Sequence, residues 1–394
     1  MIFIIDILRD GFWNKFQSDI SGARGFFAPG RINLIGEHID YNGGLVLPCA
    51  VDMGTYVAVK ERSDNLVQLA SFSNLDTQSF SLDELAFDVN HSWANYPKGI
   101  VRNFNTKGFD MYIYGSLPSG AGLSSSASLL MATAYALNTI YGNIYTKTEL
   151  AEMCQKAEAF NGVNCGIMDP FISVTGKENS AVLLDCNILE YSYIPLQMGD
   201  YKFVIMNTNK RRALAASKYN ERRAECEEAL KELQQANELK NAKYLCDISI
   251  EEFTKHKHLI TNKKSADRAG HAVYENQRVK TTAHLLKRGN KKEAFNLLQD
   301  SHNSLKDLYE VSCDELDILV DTAYEYSEKI NKDSVLGARM TGAGFGGCAI
   351  AVVRDDCISD FIKYVGKIYT DKTRLFADFY AVTAAGGAKE LDLN

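Results

Sequence analysis

Hydrophobic and polar positions follow two different periods along this chain. In the first half, short runs rich in β-branched and aromatic residues predict strands over Leu45–Val51, Thr55–Lys60, Phe109–Tyr114, Ser180–Asp185 and Tyr201–Met206. All six prolines (Pro29, Pro48, Pro97, Pro118, Pro170 and Pro195) lie in that half. Beyond Pro195 the pattern turns helical. Tyr219, Arg223, Cys226, Leu230 and Leu233 recur at spacings of four and three, and Asp267–Lys287 runs without a turn signal. Glu310–Glu325 predicts a further helix with Leu316, Leu319, Val320 and Ala323 on its buried side, and CAIAVV after Gly347 predicts a buried strand. The expectation is a mixed α+β chain of two domains, 1–195 and 196–394, since 394 residues exceed the size at which one core usually keeps growing.

Three glycine-rich segments interrupt this pattern: APGRINLIGEHIDYNGG (28–44), GSLPSGAGLSSSAS (115–128) and GARMTGAGFGG (337–347). Glycine lets backbone N–H groups approach an anion closely, because no Cβ blocks the conformations required. The second segment follows a predicted strand and precedes a strong helix former, Ser128–Ile140, with Ser124, Ser125 and Ser126 placed to cap it. Strand, glycine loop and helix N-terminus in that order make an anion site, or else a capped helix after a turn. The segment is not a P-loop, because no lysine follows its last glycine. GAGFGG is a poor dinucleotide fingerprint, because a strand follows it where a helix is needed.

The first segment crowds Arg31, Glu37, His38 and Asp40 into ten residues, the donors and acceptors that sugar hydroxyls require, or a solvated turn. In NCGIMDPF (164–171), Asp169 stands in an apolar run and should be partly buried, with Arg31 as its candidate partner. That pair would serve chemistry or structure.

Composition narrows the partners. A net charge of −7 argues against nucleic acid as the main partner and leaves an anionic small molecule open, since local amides and bound magnesium hold phosphate. Nine cysteines form no C-x-x-C pair, which suits a reducing compartment. The apolar start, MIFIIDILRDGF, is broken by Asp6 and Arg9 and lacks the features of a signal peptide. No run approaches the roughly 18 apolar residues of a membrane span. The expectations are a cytoplasmic location, no membrane partner and a monomer.

Together the three segments resemble the GHMP small-molecule kinases, and within them the galactokinase family. WANYPKG (93–99), CGIMD (165–169), SKYNERR (217–223) and SHNSLKDLYEVSCDELD (301–317) extend the resemblance over nearly the whole chain. It implies an N-terminal domain like ribosomal protein S5 and a C-terminal ferredoxin-like domain with the active site between them. It also implies ATP-dependent phosphorylation of α-D-galactose at the C1 hydroxyl, with magnesium.

Carried over by position, the resemblance makes Asp169 the catalytic base and Arg31 its partner. Glu37, His38, Asp40, Gly166, Asp169 and Tyr219 become galactose contacts. Gly120, Gly122, Leu123, Ser124 and Ser125 would wrap the ATP phosphates, Trp93 would belong to the adenine pocket, and Ser125 or a neighbouring serine, with Glu158, would help hold magnesium. Gly342, Gly344 and Gly346 would shape the site from the second domain.

Two departures stand out: Pro170 replaces the family's glutamine, and EAFNGVNC (158–165) is one residue short. Rival readings are a kinase for galactosamine, N-acetylgalactosamine or arabinose, and a non-catalytic galactose- and ATP-binding sensor. The intact Ser126–Ala127–Ser128 and Asp169 favour an enzyme.

Overall fold

Gly54 lies in the middle of a continuous strand, where the sequence pattern predicts two. In the computed structural model, which describes residues 2–118, 122–162, 165–210 and 215–393, that strand runs from Pro48 to Glu61. Opposite Gly54 its partner strand bulges between Pro29 and Arg31, and a Cβ at Gly54 would collide with the Ala28 carbonyl. The glycine permits close approach of two backbones rather than ending the strand.

The first part of the chain contains α1 (Ile2–Phe16), β1 (Arg24–Asn33), β2 (Leu45–Val46), β3 (Pro48–Glu61), β4 (Leu66–Ser71), β5 (Gln78–Ser81) and α2 (Asn95–Val101). It continues through β6 (Phe109–Gly115), α3 (Ser125–Ile140), α4 (Lys147–Phe160), α5 (Met168–Thr175), β7 (Ser180–Asp185) and β8 (Tyr191–Pro195). Then come β9 (Tyr201–Asn207), α6 (Ala215–Leu233), α7 (Ile250–His256), α8 (Lys263–Lys287), α9 (Lys291–Asp307) and α10 (Asp314–Lys329). The chain closes with β10 (Val335–Thr341), β11 (Cys348–Arg354), α11 (Ile358–Thr373), β12 (Asp378–Val382) and β13 (Lys389–Leu391).

The first sheet has the order β13-β1-β3-β6-β4-β5. Helices α3 and α5 pack on β1 and β3, and α1 packs against β3, β4 and β6. Leu8 and Phe12 of α1, four residues apart, join Ala58, Ala70, Tyr112 and Leu393 in a small separate core. The sequence pattern did not anticipate this helix, because Asp6 and Arg9 mask its short apolar stripe; the two pair with each other at 3.2 Å on its exposed face.

The second sheet has the order β10-β11-β9-β12, all antiparallel. Counted along the chain from β9, its strands lie in the order 4-1-3-2, with helices after the first and third. That is the ferredoxin-like arrangement, enlarged by α6–α9 between its first two strands. The last residues return to the first sheet, where β13 pairs with β1 and Ala384 bridges Val51. Helix α10 starts at Asp314 rather than Glu310, because Glu310 has φ 52° and cannot continue a right-handed helix.

Among the described residues, no helix is long and apolar enough to cross a membrane.

Candidate active site

Arg31 follows the β1 bulge and is buried. Its guanidinium forks onto Asp169, with Nε donating to Oδ1 at 2.8 Å and Nη2 to Oδ2 at 2.9 Å. Nη1 donates to the Gly122 carbonyl at 2.8 Å, and the Arg31 N–H donates to the Leu123 carbonyl at 3.3 Å. One residue thus joins the first glycine segment, the second, and α5. Burial alone would pull its pKa down; Asp169, Glu37 and Asp40 more than offset this, and the pKa is raised.

Asp169 occupies the first turn of α5, where an acidic group also meets the positive end of the helix dipole. Pro170 follows in the same turn, where an N–H has no partner within the helix, so the proline removes no helical hydrogen bond. Ser124 does not cap α3 through its side chain. It sits at the cap position with φ 61°, and its hydroxyl donates to Asp169 Oδ2 at 2.5 Å. A carboxylate offers about four acceptor positions. Arg31 and Ser124 fill three, leaving one on Oδ1.

Glu37 is held in place by groups from both sheets. Asn33 Nδ2 donates to Oε2 at 3.1 Å, while Thr341 Oγ1 and Gly342 N donate to Oε1 at 2.9 and 2.6 Å. Arg339, fully buried, lies 3.0 Å from the same Oε1. Asn33, Arg339 and Thr341 escape sequence reasoning; Asn33 is only four residues from Glu37, whereas Arg339 and Thr341 come from the second sheet.

A cavity of about 230 Å³ opens at this junction, lined by Arg31, Glu37, His38, Asp40, Tyr41, Cys165, Gly166, Asp169, Tyr219, Gly342 and Ala343 among others. This is below the roughly 300–1,000 Å³ of pockets for drug-sized ligands and suits one small polar molecule. Asp40 faces it with its pKa pushed up to about 7 by burial and by the nearby Asp169 and Glu37 carboxylates. His38 is pushed down to about 4 by burial and is neutral. A more open groove of about 1,100 Å³ lies between α1 and the C-terminal strand, but its Arg24 and Glu390 are paired with each other and no member of the cluster reaches it.

Helices α3 and α4 carry further residues that the resemblance singles out. Glu158 is buried on α4, its pKa pushed up to about 7 by burial despite a hydrogen bond from Ser126. The serine that meets Glu158 is therefore Ser126, whereas Ser125 is exposed. Gly122 adopts φ 76° and packs so closely on Gly342 that a Cβ there would press on the Gly122 carbonyl. The second and third glycine segments thus touch. Gly120 lies outside the described residues. Trp93 is half-buried against the core ahead of α2 and does not line the cavity. No group of three or more His, Cys, Asp or Glu side chains suited to a metal occurs among the described residues.

A glycine segment that leads into a helix N-terminus, touches the loop after β10 and is joined through Arg31 to Asp169 in the wall of a small cavity is the arrangement of a two-lobed small-molecule kinase. Residues 95–177 match the model for the GHMP kinase N-terminal domain, 282–367 the GHMP kinase C-terminal model, and 11–61 the galactokinase galactose-binding signature. The chain is 49% identical to a galactokinase of Fusobacterium nucleatum over 92% of its length and 94% of that protein's. It is 48% identical to one of Bacillus subtilis, over 97% and 98% of the two chains. The structure superposes on Lactococcus lactis galactokinase complexed with galactose with a TM-score of 0.92, at 42% identity, covering 98% of this chain and all (100%) of that one. Methanococcus jannaschii mevalonate kinase shares the fold, at a TM-score of 0.64 and 20% identity over 92% of this chain and 98% of that one. This chain belongs to the galactokinase family of GHMP kinases.

Proposed function

We propose that this protein transfers the terminal phosphoryl group of ATP to the C1 hydroxyl of α-D-galactose, giving galactose 1-phosphate and ADP. The observation that supports this most is the Arg31–Asp169 fork in the wall of a sugar-sized cavity, beside the N-terminus of α3. Phosphoryl transfer depends mostly on positioning and charge stabilisation, and these residues supply both.

In this reading Asp40 and the free acceptor position on Glu37 Oε2 take sugar hydroxyl protons in hydrogen bonds, and Tyr219 closes one side. The C1 hydroxyl meets the open position on Asp169 Oδ1. As the sugar oxygen bonds to phosphorus and the bond to the ADP oxygen breaks, Asp169 takes the hydroxyl proton. Arg31 keeps Asp169 an acceptor and adds positive charge where negative charge develops. The α3 N-terminus, with Gly122 and Leu123 before it, faces the phosphates.

Glu158 and Ser126 would hold magnesium. A buried carboxylate with one hydroxyl partner and a raised pKa fits a cation better than it fits an empty core. When bound, the ion neutralises phosphate charge.

The test is ADP release with galactose, galactosamine, N-acetylgalactosamine and arabinose, with the phosphorylated carbon identified by NMR. Turnover of galactose with the highest kcat/KM and phosphate on C1 is expected. Preference for another sugar, or binding of ATP and galactose without turnover, overturns the proposal.

A further inference from the structure

Both ring nitrogens of His38 are occupied by protein groups, although the ring forms part of the cavity wall. Nε2 lies 3.2 Å from the Ala343 carbonyl and Nδ1 2.7 Å from the Tyr41 hydroxyl. A carbonyl only accepts, so Nε2 carries the proton. The ring is neutral, so Nδ1 is bare and the Tyr41 O–H must donate to it.

This direction propagates. With its proton committed, the Tyr41 oxygen accepts from the Tyr309 hydroxyl, 2.9 Å away. The Tyr309 oxygen then accepts from the Cys226 thiol at 3.1 Å, and the Cys226 sulfur accepts from Asn42 Nδ2 at 3.6 Å. A carbonyl at one end and an amide donor at the other leave the chain a single direction. Cys226, Tyr309, Asn42 and His38 are all buried, and Tyr41, half-buried, joins them to the cavity wall.

The chain ends where two loops cross. Glu37 accepts from Thr341 and Gly342, and the next residue, His38, donates to the next residue, Ala343. Consecutive residues of the first glycine segment therefore meet consecutive residues of the third. If the donor to Nδ1 is lost, the ring is held by its Nε2 bond to the Ala343 carbonyl alone. With one anchor gone the ring is free to turn about that bond, and the crossing beside Glu37 loosens.

We infer that Tyr41, Tyr309 and Cys226 are positioning residues for the sugar cavity, acting through His38 as a latch between the first and third glycine segments. The kinetic part of this inference rests on the galactokinase reading; the tautomer does not. Tyr41→Phe keeps the ring and removes only the donor.

The experiment combines galactose and ATP kinetics with 15N-histidine NMR of wild-type and variant protein, the His38 signal being assigned with His38→Gln. Wild-type His38 is expected as a single Nε2–H tautomer with a hydrogen-bonded Nδ1, and Tyr41→Phe should keep the tautomer while shifting the Nδ1 resonance to that of an unbonded nitrogen. The galactose KM should rise about tenfold, the scale of one buried hydrogen bond, with the ATP KM unchanged and kcat less affected. Tyr309→Phe should act in the same direction but less, because the Tyr41 donor remains, and it serves if Tyr41→Phe does not fold. An Nδ1–H tautomer in the wild type, or an unchanged galactose KM in a folded Tyr41→Phe, overturns the inference. Failure of the wild type to phosphorylate galactose would instead sink the functional reading and leave the tautomer measurement to decide the latch.

Discussion

Asp40 Oδ2 stands in the space that a Cβ on Gly166 would occupy. The two belong to separate segments of the cavity wall, and the missing side chain of one makes room for the carboxylate of the other. Gly166→Ala should therefore displace Asp40 and raise the galactose KM by about 5- to 100-fold, the range expected of overpacking, with little change in the ATP KM. Steady-state kinetics with each substrate varied in turn checks this; an equal rise in both constants would show a general distortion.

Asp169→Asn should lower kcat by about 10²–10⁴-fold, because the amide cannot take the hydroxyl proton. It also places an N–H₂ group against one arm of the Arg31 fork, so a lower melting temperature is expected alongside. Galactose binding measured by calorimetry should survive. Turnover near the wild-type rate would remove Asp169 from the role of base.

Galactose binding should release a proton near pH 6. Free Asp40 has its pKa raised to about 7, so it holds a proton between its ordinary value and pH 7. Sugar hydroxyls donating to it favour the ionised form and lower that pKa, which expels the proton. Calorimetry without ATP or magnesium, in buffers of different ionisation enthalpy, reads this directly. Asp40→Asn should abolish the buffer dependence, and its persistence would assign the proton elsewhere.

The magnesium requirement should steepen in acid. With its pKa raised to about 7, Glu158 is increasingly protonated below that pH and must lose the proton to ligate a cation. At limiting magnesium, activity should fall as pH drops through 7 and recover with excess magnesium. Chelation should abolish turnover, and Glu158→Gln should flatten the pH dependence. A wild-type requirement independent of pH would separate Glu158 from the ion.

Pro170→Gln should preserve kcat or raise it, since the helix loses no hydrogen bond at this position in either form. Restoring freedom to the unfolded chain should cost about 0.4–1 kcal/mol of stability. Denaturant melts and kinetics on the same preparation measure both. A large loss of kcat with unchanged stability would show a site rebuilt around the proline.

Much of this site could be read before any fold was known. Arg31, Glu37, His38 and Asp40 announce themselves because four polar residues among glycines have no use in a core. Asp169 does so as the one carboxylate in an apolar run. The ferredoxin-like strands β9 and β11 were visible as β-branched runs. Helix α1 and the continuity of β3 through Gly54 were not, because each depends on a surface supplied by another strand.

By itself the sequence determined which residue types gather in which segments: glycine and serine ahead of a helix, a polar cluster among glycines, a lone acid in an apolar run. Only the tertiary structure decided which side chain meets which. Neighbouring serines on a helix point about 100° apart, so the rotation of α3 against α4, imposed by core packing, brings Ser126 and not Ser125 to Glu158. The left-handed turn at Ser124 likewise sends its hydroxyl to Asp169 instead of to the helix end. Arg339 and Thr341 reach Glu37 across some three hundred residues because the loop after β1 lies against the end of β10, a contact that no local pattern encodes.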